Sequence, residues 1–275
     1  MPPDGPYDLT LASADFPPWD GPPRRSIVVC SHPRSGSTLL GEAMTFAGGL
    51  GCPLEYLHRG FRPAFERRWE TSDALSYRAA LHRLRTGPNG VFSIKLFWQD
   101  IEDVALELAP DRSSPVGMPG DTTPDAYRSL FDLLSAFLPN PEFVYLERAD
   151  RVRQAVSAMV AAQSGLWRSI EGVGRPAPQG AAVYDYDRVL ANIALGDYSR
   201  EHWRGFFAAN AIRPRFVTYE DLDARYARTV GALLAELGAE DATPPPRRMR
   251  RQGDTSSEAI VLDFLREHAG REAGG

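Results

Sequence analysis

The sequence predicts an α/β fold: a three-layer arrangement in which a parallel sheet carries helices on both faces. Short apolar runs of strand length, rich in β-branched residues, recur along the chain, and segments with helical spacing of apolar residues follow them. Strands that alternate with helices pair in parallel, because the chain crosses over the sheet between one strand and the next. The 275 residues, of which 43% are hydrophobic, are sufficient to bury one core.

The elements are predicted in chain order. Residues 1–25 are rich in proline and predict an irregular arm that lies on the body or on a partner subunit, whereas residues 26–275 are predicted to form a single domain. Strands are predicted at 27–30, 91–97, 143–146 and 215–218. Helices are predicted after the first, third and fourth strands, on the apolar spacing of Leu39, Leu40, Ala43 and Met44, of Val152, Val156, Met159 and Val160, and of Val230, Leu233, Leu234 and Leu237.

Two longer segments, 110–124 and 172–180, interrupt the alternation of strands and helices. Both contain several proline and glycine residues, and both are predicted to be loops that are long enough to be functional.

Composition excludes some classes of function. The formal net charge is -5, which argues against nucleic acid as the main partner, because phosphate binding normally needs a basic surface. The two cysteines, Cys30 and Cys52, form neither a disulfide framework nor a metal-ligand spacing. The N-terminus lacks the pattern of a signal peptide, and no apolar run approaches the roughly 18 residues of a membrane span. We therefore expect a cytoplasmic protein without a membrane span or a metal.

A polar loop, HPRSGST, follows the first predicted strand. In open α/β sheets, ligands bind at the carboxyl ends of strands, where a helix N-terminus presents free backbone N–H groups. Gly36 lets the backbone approach an anion, Ser35, Ser37 and Thr38 add hydroxyl donors, and the Arg34 guanidinium matches a tetrahedral oxyanion. The loop predicts an oxyanion site, and an ordinary strand-to-helix turn with a Ser/Thr cap stays open as the alternative.

The spacing within this loop does not fit two common classes of phosphate-binding enzyme. A Walker A loop requires GxxxxGK[ST], and no lysine is present here. A cysteine-dependent phosphatase requires an arginine six positions after its cysteine, but that position after Cys30 holds Gly36, and Arg34 comes too early.

The segment HPRSGSTLL after a buried strand resembles the 5′-phosphosulfate loop of sulfotransferases that use 3′-phosphoadenosine-5′-phosphosulfate (PAPS). It is similar in particular to the bacterial trehalose sulfotransferase-like family, which also resembles the nodulation-factor sulfotransferases. Four further blocks agree in order: CPLEY, FSIKLFW, YLERADRVRQAVSAMVAAQSGLW and RRQGDTSSE. The resemblance implies a P-loop-like loop and a transfer of the sulfuryl group from PAPS to a hydroxyl of a carbohydrate or a glycosylated small molecule. No metal is expected, because no Asp/Glu/His cluster in the sequence has ligand spacing.

The resemblance also implies which residues contact the nucleotide. In the family, an arginine that ends a strand and a serine on the next helix hold the 3′-phosphate, and here these are Arg148 and Ser157, with Arg151 or Arg153 as substitutes for Arg148. A C-terminal stretch beginning at residue 250 closes over the nucleotide in the family. The implied cofactor contacts are Arg34, Ser35, Gly36, Ser37, Thr38, Arg148, Ser157, Arg251 and Gln252.

The catalytic base implied by the resemblance is Glu55, the glutamate of the CPLEY block. A carboxylate that is partly buried near the acceptor is a better base than one in water. His58 is the alternative, because a neutral imidazole suits proton transfer near neutral pH.

Lys95 lies in an apolar strand, where an unpaired ammonium group is costly. Either it reaches the site and contacts sulfuryl or acceptor oxygens, or its side chain extends to solvent at an edge. The aromatic residues Tyr56, Trp98 and Trp167 either stack against a sugar or adenine ring or belong to the core.

Two other functions stay open: a nucleotide or small-molecule kinase, and a nucleotide-binding protein without turnover. The absence of a loop lysine and the presence of the 3′-phosphate block both argue against a kinase. The expected partner is a small-molecule or carbohydrate acceptor of unspecified identity, and the oligomeric state, including a homodimer, is left open.

Overall fold

The computed structural model describes residues 7–108, 116–135, 137–168, 182–249 and 255–274. Its centre is a four-stranded parallel sheet with the strand order β2-β1-β3-β4. The strands are β1 (Arg25–Ser31), β2 (Val91–Phe97), β3 (Pro141–Glu147) and β4 (Arg215–Thr218). All four predicted strands are confirmed, and β1 and β3 each extend a few residues beyond the predicted ends.

Helices fill the segments between the strands. Those in the described part of the chain are α1 (Ser37–Ala47), α2 (Arg62–Trp69), α3 (Ala74–Arg85), α4 (Trp98–Leu108), α5 (Pro124–Ser135), α6 (Arg151–Ser164), α7 (Tyr186–Ala209), α8 (Tyr219–Ala224), α9 (Tyr226–Glu236) and α10 (Thr255–Gly274). The three predicted helices correspond to α1, α6 and α9. Short 3₁₀ turns occur at Ala12–Ala14 and Pro119–Asp121.

The two faces of the sheet build separate cores, because successive side chains of a strand point to opposite faces. On one face, Val28 and Cys30 of β1 pack against aromatic residues of α4 and α7 such as Trp98 and Trp203. On the other face, Ile27, Val29 and neighbouring strand residues pack against α1, α8 and α9. Helices therefore cover both faces, and the predicted three-layer α/β class is confirmed.

The connections place the loop after β1 at a special point of the sheet. From β1 the chain crosses to β2 on one side, and β3 then pairs with β1 on the other side. The strand order therefore changes direction at β1. In open α/β sheets, ligands bind in the crevice that this change opens at the carboxyl ends of the strands.

The described part of the N-terminal arm, residues 7–24, lies on the body of the same chain. Asp15 pairs with Arg68 and also contacts Arg85 Nε at 3.0 Å. Arg85 is fully buried and donates to the carbonyl oxygens of Leu9 at 3.0 Å and Ala14 at 3.1 Å. A buried guanidinium therefore fastens the arm, although the division into arm and single domain stays a prediction.

Several predicted features fall outside the described residues. The predicted loop at 172–180 and the proposed nucleotide contacts Arg251 and Gln252 lie there, as does the first half of the 110–124 loop. Within the described ranges, no helix combines the length and the apolar character that crossing a bilayer requires.

Candidate active site

The loop between β1 and α1 depends on one glycine. Gly36 has φ +85°, a left-handed conformation that glycine adopts without strain, and α1 begins directly after it. A Cβ at this position would lie 2.9 Å from Cδ2 of Tyr219, so the ring of α8 packs against the bare backbone. The first backbone N–H groups of α1 have no intrahelical acceptor and face the carboxyl end of the sheet, where they can bind an anion.

Two side chains hold the shape of this loop from inside. Ser35 is fully buried, and its hydroxyl donates to the carbonyl oxygen of His32 at 2.8 Å. Gln154 of α6 donates to the carbonyl oxygen of Pro33 at 2.8 Å. The hydroxyl of Ser35, predicted as a cofactor contact, thus orders the loop itself.

Arg34, Arg148 and Ser157 come together from three different segments. Arg34 Nε donates to Ser157 Oγ at 3.0 Å, and Arg148 Nη1 donates to the Arg34 carbonyl oxygen at 3.2 Å. Arg148 is 7% exposed, and its guanidinium lies 4.4 Å from the ring centroid of Tyr219. The structure therefore places one predicted phosphosulfate-loop residue beside both predicted 3′-phosphate residues.

The electrostatics of this cluster favour an anion. Burial and, to a smaller extent, the neighbouring Arg148 lower the pKa of the Arg34 guanidinium to about 10. Both groups still carry charge at neutral pH. Two cations held close together repel each other, and a bound phosphate or sulfate would relieve that repulsion.

The two alternative arginines on α6 have other partners. Arg151 Nη1 lies 3.1 Å from Asp197 Oδ2, and its side chain is 52% exposed. Arg153 contacts Glu258 of α10 at 2.9 Å and also pairs with Asp150, the N-cap residue of α6. Arg148, in contrast, contacts the backbone of Arg34, whose side chain contacts Ser157.

A second cluster joins Lys95, Glu55 and Thr38. Leu54 forms a parallel bridge with Ile94, and the backbone N–H of Lys95 donates to the Leu54 carbonyl oxygen at 2.9 Å. This contact sets Glu55 beside Lys95, whose Nζ lies 2.6 Å from Glu55 Oε1 and donates to Thr38 Oγ1 at 3.1 Å. Lys95 is only 4% exposed. Its ammonium group therefore reaches the N-terminal turn of α1 and does not extend to an edge of the sheet.

The alternative base, His58, donates its backbone N–H to the Glu55 carbonyl oxygen at 3.2 Å, but its imidazole contacts the turn that follows. Its Nδ1 accepts a hydrogen bond from the backbone N–H of Gly60 at 3.1 Å, and its ring lies 5.3 Å from that of Phe61. Of the two candidates, Glu55 is the one that the structure joins to Lys95 and the loop.

Two carboxyl groups near Lys95 were missed by the sequence analysis. Glu42 lies on α1 one helical turn after Thr38 and is 6% exposed. Asp100, 2% exposed, accepts a hydrogen bond from the backbone N–H of Phe97 at 2.9 Å, and burial raises its pKa to about 7. A single charged residue in the mostly apolar segment LLGEAM was the available signal for Glu42.

The three aromatic candidates separate into core and surface. Tyr56 and Trp98 are fully buried in the core, where Trp98 stacks on His202 at 4.6 Å. Trp167 is 52% exposed, and its carbonyl oxygen accepts a hydrogen bond from Arg34 Nη1 at 2.7 Å. Only Trp167 is placed where a ligand could contact it from solvent.

Among the residues that the structure describes, no group of three or more His, Cys, Asp or Glu side chains is arranged to hold a metal ion.

Comparison with known proteins finds a family model and individual proteins to which this chain is similar. The family model described as Stf0 sulphotransferase matches residues 26–267. The chain is 28% identical to trehalose 2-sulfotransferase of Mycolicibacterium smegmatis over 269 residues, covering 87% of this chain and 94% of that protein. It is 29% identical to trehalose 2-sulfotransferase of Mycobacterium tuberculosis over 274 residues, covering 88% of this chain and 95% of that protein. A crystal structure of a sulfotransferase from Alicyclobacillus acidocaldarius aligns with a TM-score of 0.45 and 12% identity, covering 91% of this chain and 95% of that one.

Proposed function

Because the chain belongs to the Stf0 sulphotransferase family, we propose that it transfers the sulfuryl group of PAPS to a hydroxyl group of a carbohydrate or a glycosylated small molecule. The observation that carries the proposal is the meeting of Arg34, Arg148 and Ser157 at the N-terminus of α1. The two relatives named as trehalose 2-sulfotransferases support a carbohydrate acceptor, and they make trehalose the first acceptor to test.

The residues of the loop fit the donor. PAPS carries two anionic groups, a 3′-phosphate and a 5′-phosphosulfate, and the site offers two separate sets of donors. Arg148 and Ser157 would hold the 3′-phosphate, as a cationic fork with a hydroxyl beside it. The backbone N–H groups at the start of α1, with the hydroxyls of Ser37 and Thr38, would hold the phosphosulfate. Arg34 contacts Ser157 and lies in the loop, so it can serve both groups.

The Lys95 and Glu55 pair would act on the acceptor hydroxyl. PAPS supplies an activated sulfuryl group, and an acceptor hydroxyl attacks the sulfur in line with the leaving phosphate. Lys95 contacts one carboxylate oxygen of Glu55 and fixes its orientation, and the second oxygen can take the hydroxyl proton. The Lys95 ammonium group contacts Thr38 at the start of α1, and both would stabilise negative charge on the transferring group.

The binding preference of the nucleotide site tests this proposal. PAP, the desulfonated product, should bind about 10- to 100-fold more tightly than AMP, because only PAP presents a 3′-phosphate to Arg148 and Ser157 and charge-assisted hydrogen bonds are strong. Titration calorimetry without metal measures both affinities. Arg148→Ala should abolish most of the preference, whereas Arg151→Ala, the matched control at the start of α6, should leave it unchanged.

A further titration with ATP and magnesium separates the competing functions. A kinase would bind ATP with magnesium more tightly than PAP. Equal affinity for PAP and AMP would contradict the 3′-phosphate site, and loss of the preference in Arg151→Ala alone would move that site to Arg151.

A further inference from the structure

Glu42 carries a buried carboxylate oxygen that the mechanism above does not use. Its Oε2 accepts a hydrogen bond from the hydroxyl of Tyr7, while its Oε1 is buried and has no hydrogen-bond partner among the residues that the structure describes. A buried acceptor without a partner costs free energy, so such an atom in a folded protein calls for an explanation. A hydroxyl group is the simplest donor that could satisfy it.

The surroundings connect Glu42 to the catalytic pair. Residues four apart on a helix lie on the same face, so Glu42 stands directly after Thr38, the residue that contacts Lys95. Burial raises the pKa of the Glu42 carboxyl group, and the nearby cations Arg168, Lys95 and Arg248 oppose that effect. The carboxyl group therefore lies within the electrostatic reach of Lys95.

A series of hydrogen bonds also connects the nucleotide loop to Tyr7, the residue that contacts Glu42. Arg34 donates to the carbonyl oxygen of Trp167 at 2.7 Å, and the next residue, Arg168, donates to the carbonyl oxygen of Tyr7 at 3.1 Å. The Tyr7 ring packs edge-on against Phe46 with a centroid distance of 5.1 Å. Tyr7 itself is partly exposed, so a ligand that contacts it from solvent would lie beside Glu42.

We propose that Glu42, held in place by Tyr7, binds a hydroxyl group of the acceptor other than the one that is sulfated. This proposal rests on the proposed function, since it assigns a second contact to the same polyhydroxylated acceptor. The family match begins at residue 26, whereas Tyr7 belongs to the N-terminal arm. The arm is therefore part of the acceptor site, and it contributes to the choice of acceptor.

Steady-state kinetics with trehalose and PAPS test the role of both residues. Tyr7→Phe should raise the KM for trehalose about 10-fold, and Glu42→Gln about 10- to 100-fold, because each weakens or removes a hydrogen bond to a charged group. The affinity for PAP should stay within a factor of two of wild type in both variants, since the nucleotide contacts lie elsewhere. Thr10→Ala is the matched control, because Thr10 lies on the same arm and bonds to Asp8.

Monodeoxy trehaloses identify the contact directly. Removal of the recognised hydroxyl should raise the KM of the wild-type enzyme but should cause no additional loss in Glu42→Gln. An unchanged KM in both variants would overturn the proposal while leaving the sulfotransferase assignment intact. A wild-type protein that binds PAP but transfers nothing to trehalose or to other glycosides would overturn the carbohydrate acceptor and this subsite together.

Discussion

Glu55→Gln is expected to lower the turnover rate by about 10²- to 10⁴-fold, the contribution that a positioned general base typically makes. Glutamine keeps the shape of the side chain and can still accept a hydrogen bond from Lys95, but it cannot take the acceptor proton. The affinity for PAP should remain close to that of wild type, because Arg34, Arg148 and Ser157 are untouched. Single-turnover rates with saturating PAPS, together with calorimetric titration of PAP, measure the two effects separately.

His58→Asn is the matched control for this variant. It should retain nearly full turnover, since the His58 ring contacts Gly60 and Phe61, and it is the backbone N–H of His58 that donates to the Glu55 carbonyl oxygen. The reverse result, a large loss in His58→Asn and a nearly silent Glu55→Gln, would transfer the role of the base to His58. A Glu55→Gln enzyme that keeps more than about half of wild-type turnover would contradict proton transfer to this residue.

Lys95→Met is expected to lower the turnover rate by about 10²- to 10³-fold, because it removes a preorganised cation from the place where charge develops. It should also reduce stability. Breaking one side of a buried ion pair leaves the other charge poorly compensated, at a cost on the order of 3–5 kcal/mol when both groups are buried. Glu55 keeps 16% side-chain exposure, so the loss should be smaller than that.

The double variant Lys95→Met/Glu55→Gln separates stability from catalysis. It should recover much of the thermal stability that Lys95→Met loses, because the uncompensated carboxylate is gone, but it should recover none of the activity. Wild-type turnover in Lys95→Met would show that Lys95 has only a structural role, whereas activity that returns with stability in the double variant would contradict the role of Glu55 as the base.

The sequence was sufficient for the sheet, because β1, β2 and the middle of β3 are buried on both faces and stand out as short apolar runs. It was insufficient for most helices. In α7, for example, Ser199, Arg200 and His202 are buried among apolar residues, so the helix lacks a single apolar stripe. Burial of those polar groups depends on tertiary partners such as Tyr127, whose hydroxyl contacts His202 Nδ1 at 2.9 Å.

The part of the site that is contiguous in the sequence could be predicted, whereas contacts between distant segments could not. The loop from Arg34 to Thr38 is contiguous and carries its own signal in one glycine and several hydroxyls. Glu55 and Lys95 were singled out separately, but their contact depends on the bridge between Leu54 and Ile94, which no local pattern indicates.

The contact between Tyr7 and Glu42 was beyond sequence analysis for a similar reason. The two residues are 35 positions apart, and the arm that carries Tyr7 is irregular. The anchor of that arm, the buried Arg85, depends on the packed body of the protein.

Incubation with PAPS labelled with radioactive sulfur, a panel of glycosides headed by trehalose, and EDTA tests whether this protein moves a sulfuryl group from PAPS to an acceptor hydroxyl without a metal. We predict that label appears in a sulfated glycoside in step with PAP release, and that Glu55→Gln suppresses both. Labelled PAPS that remains intact with every acceptor, or transfer that EDTA abolishes, would contradict the account.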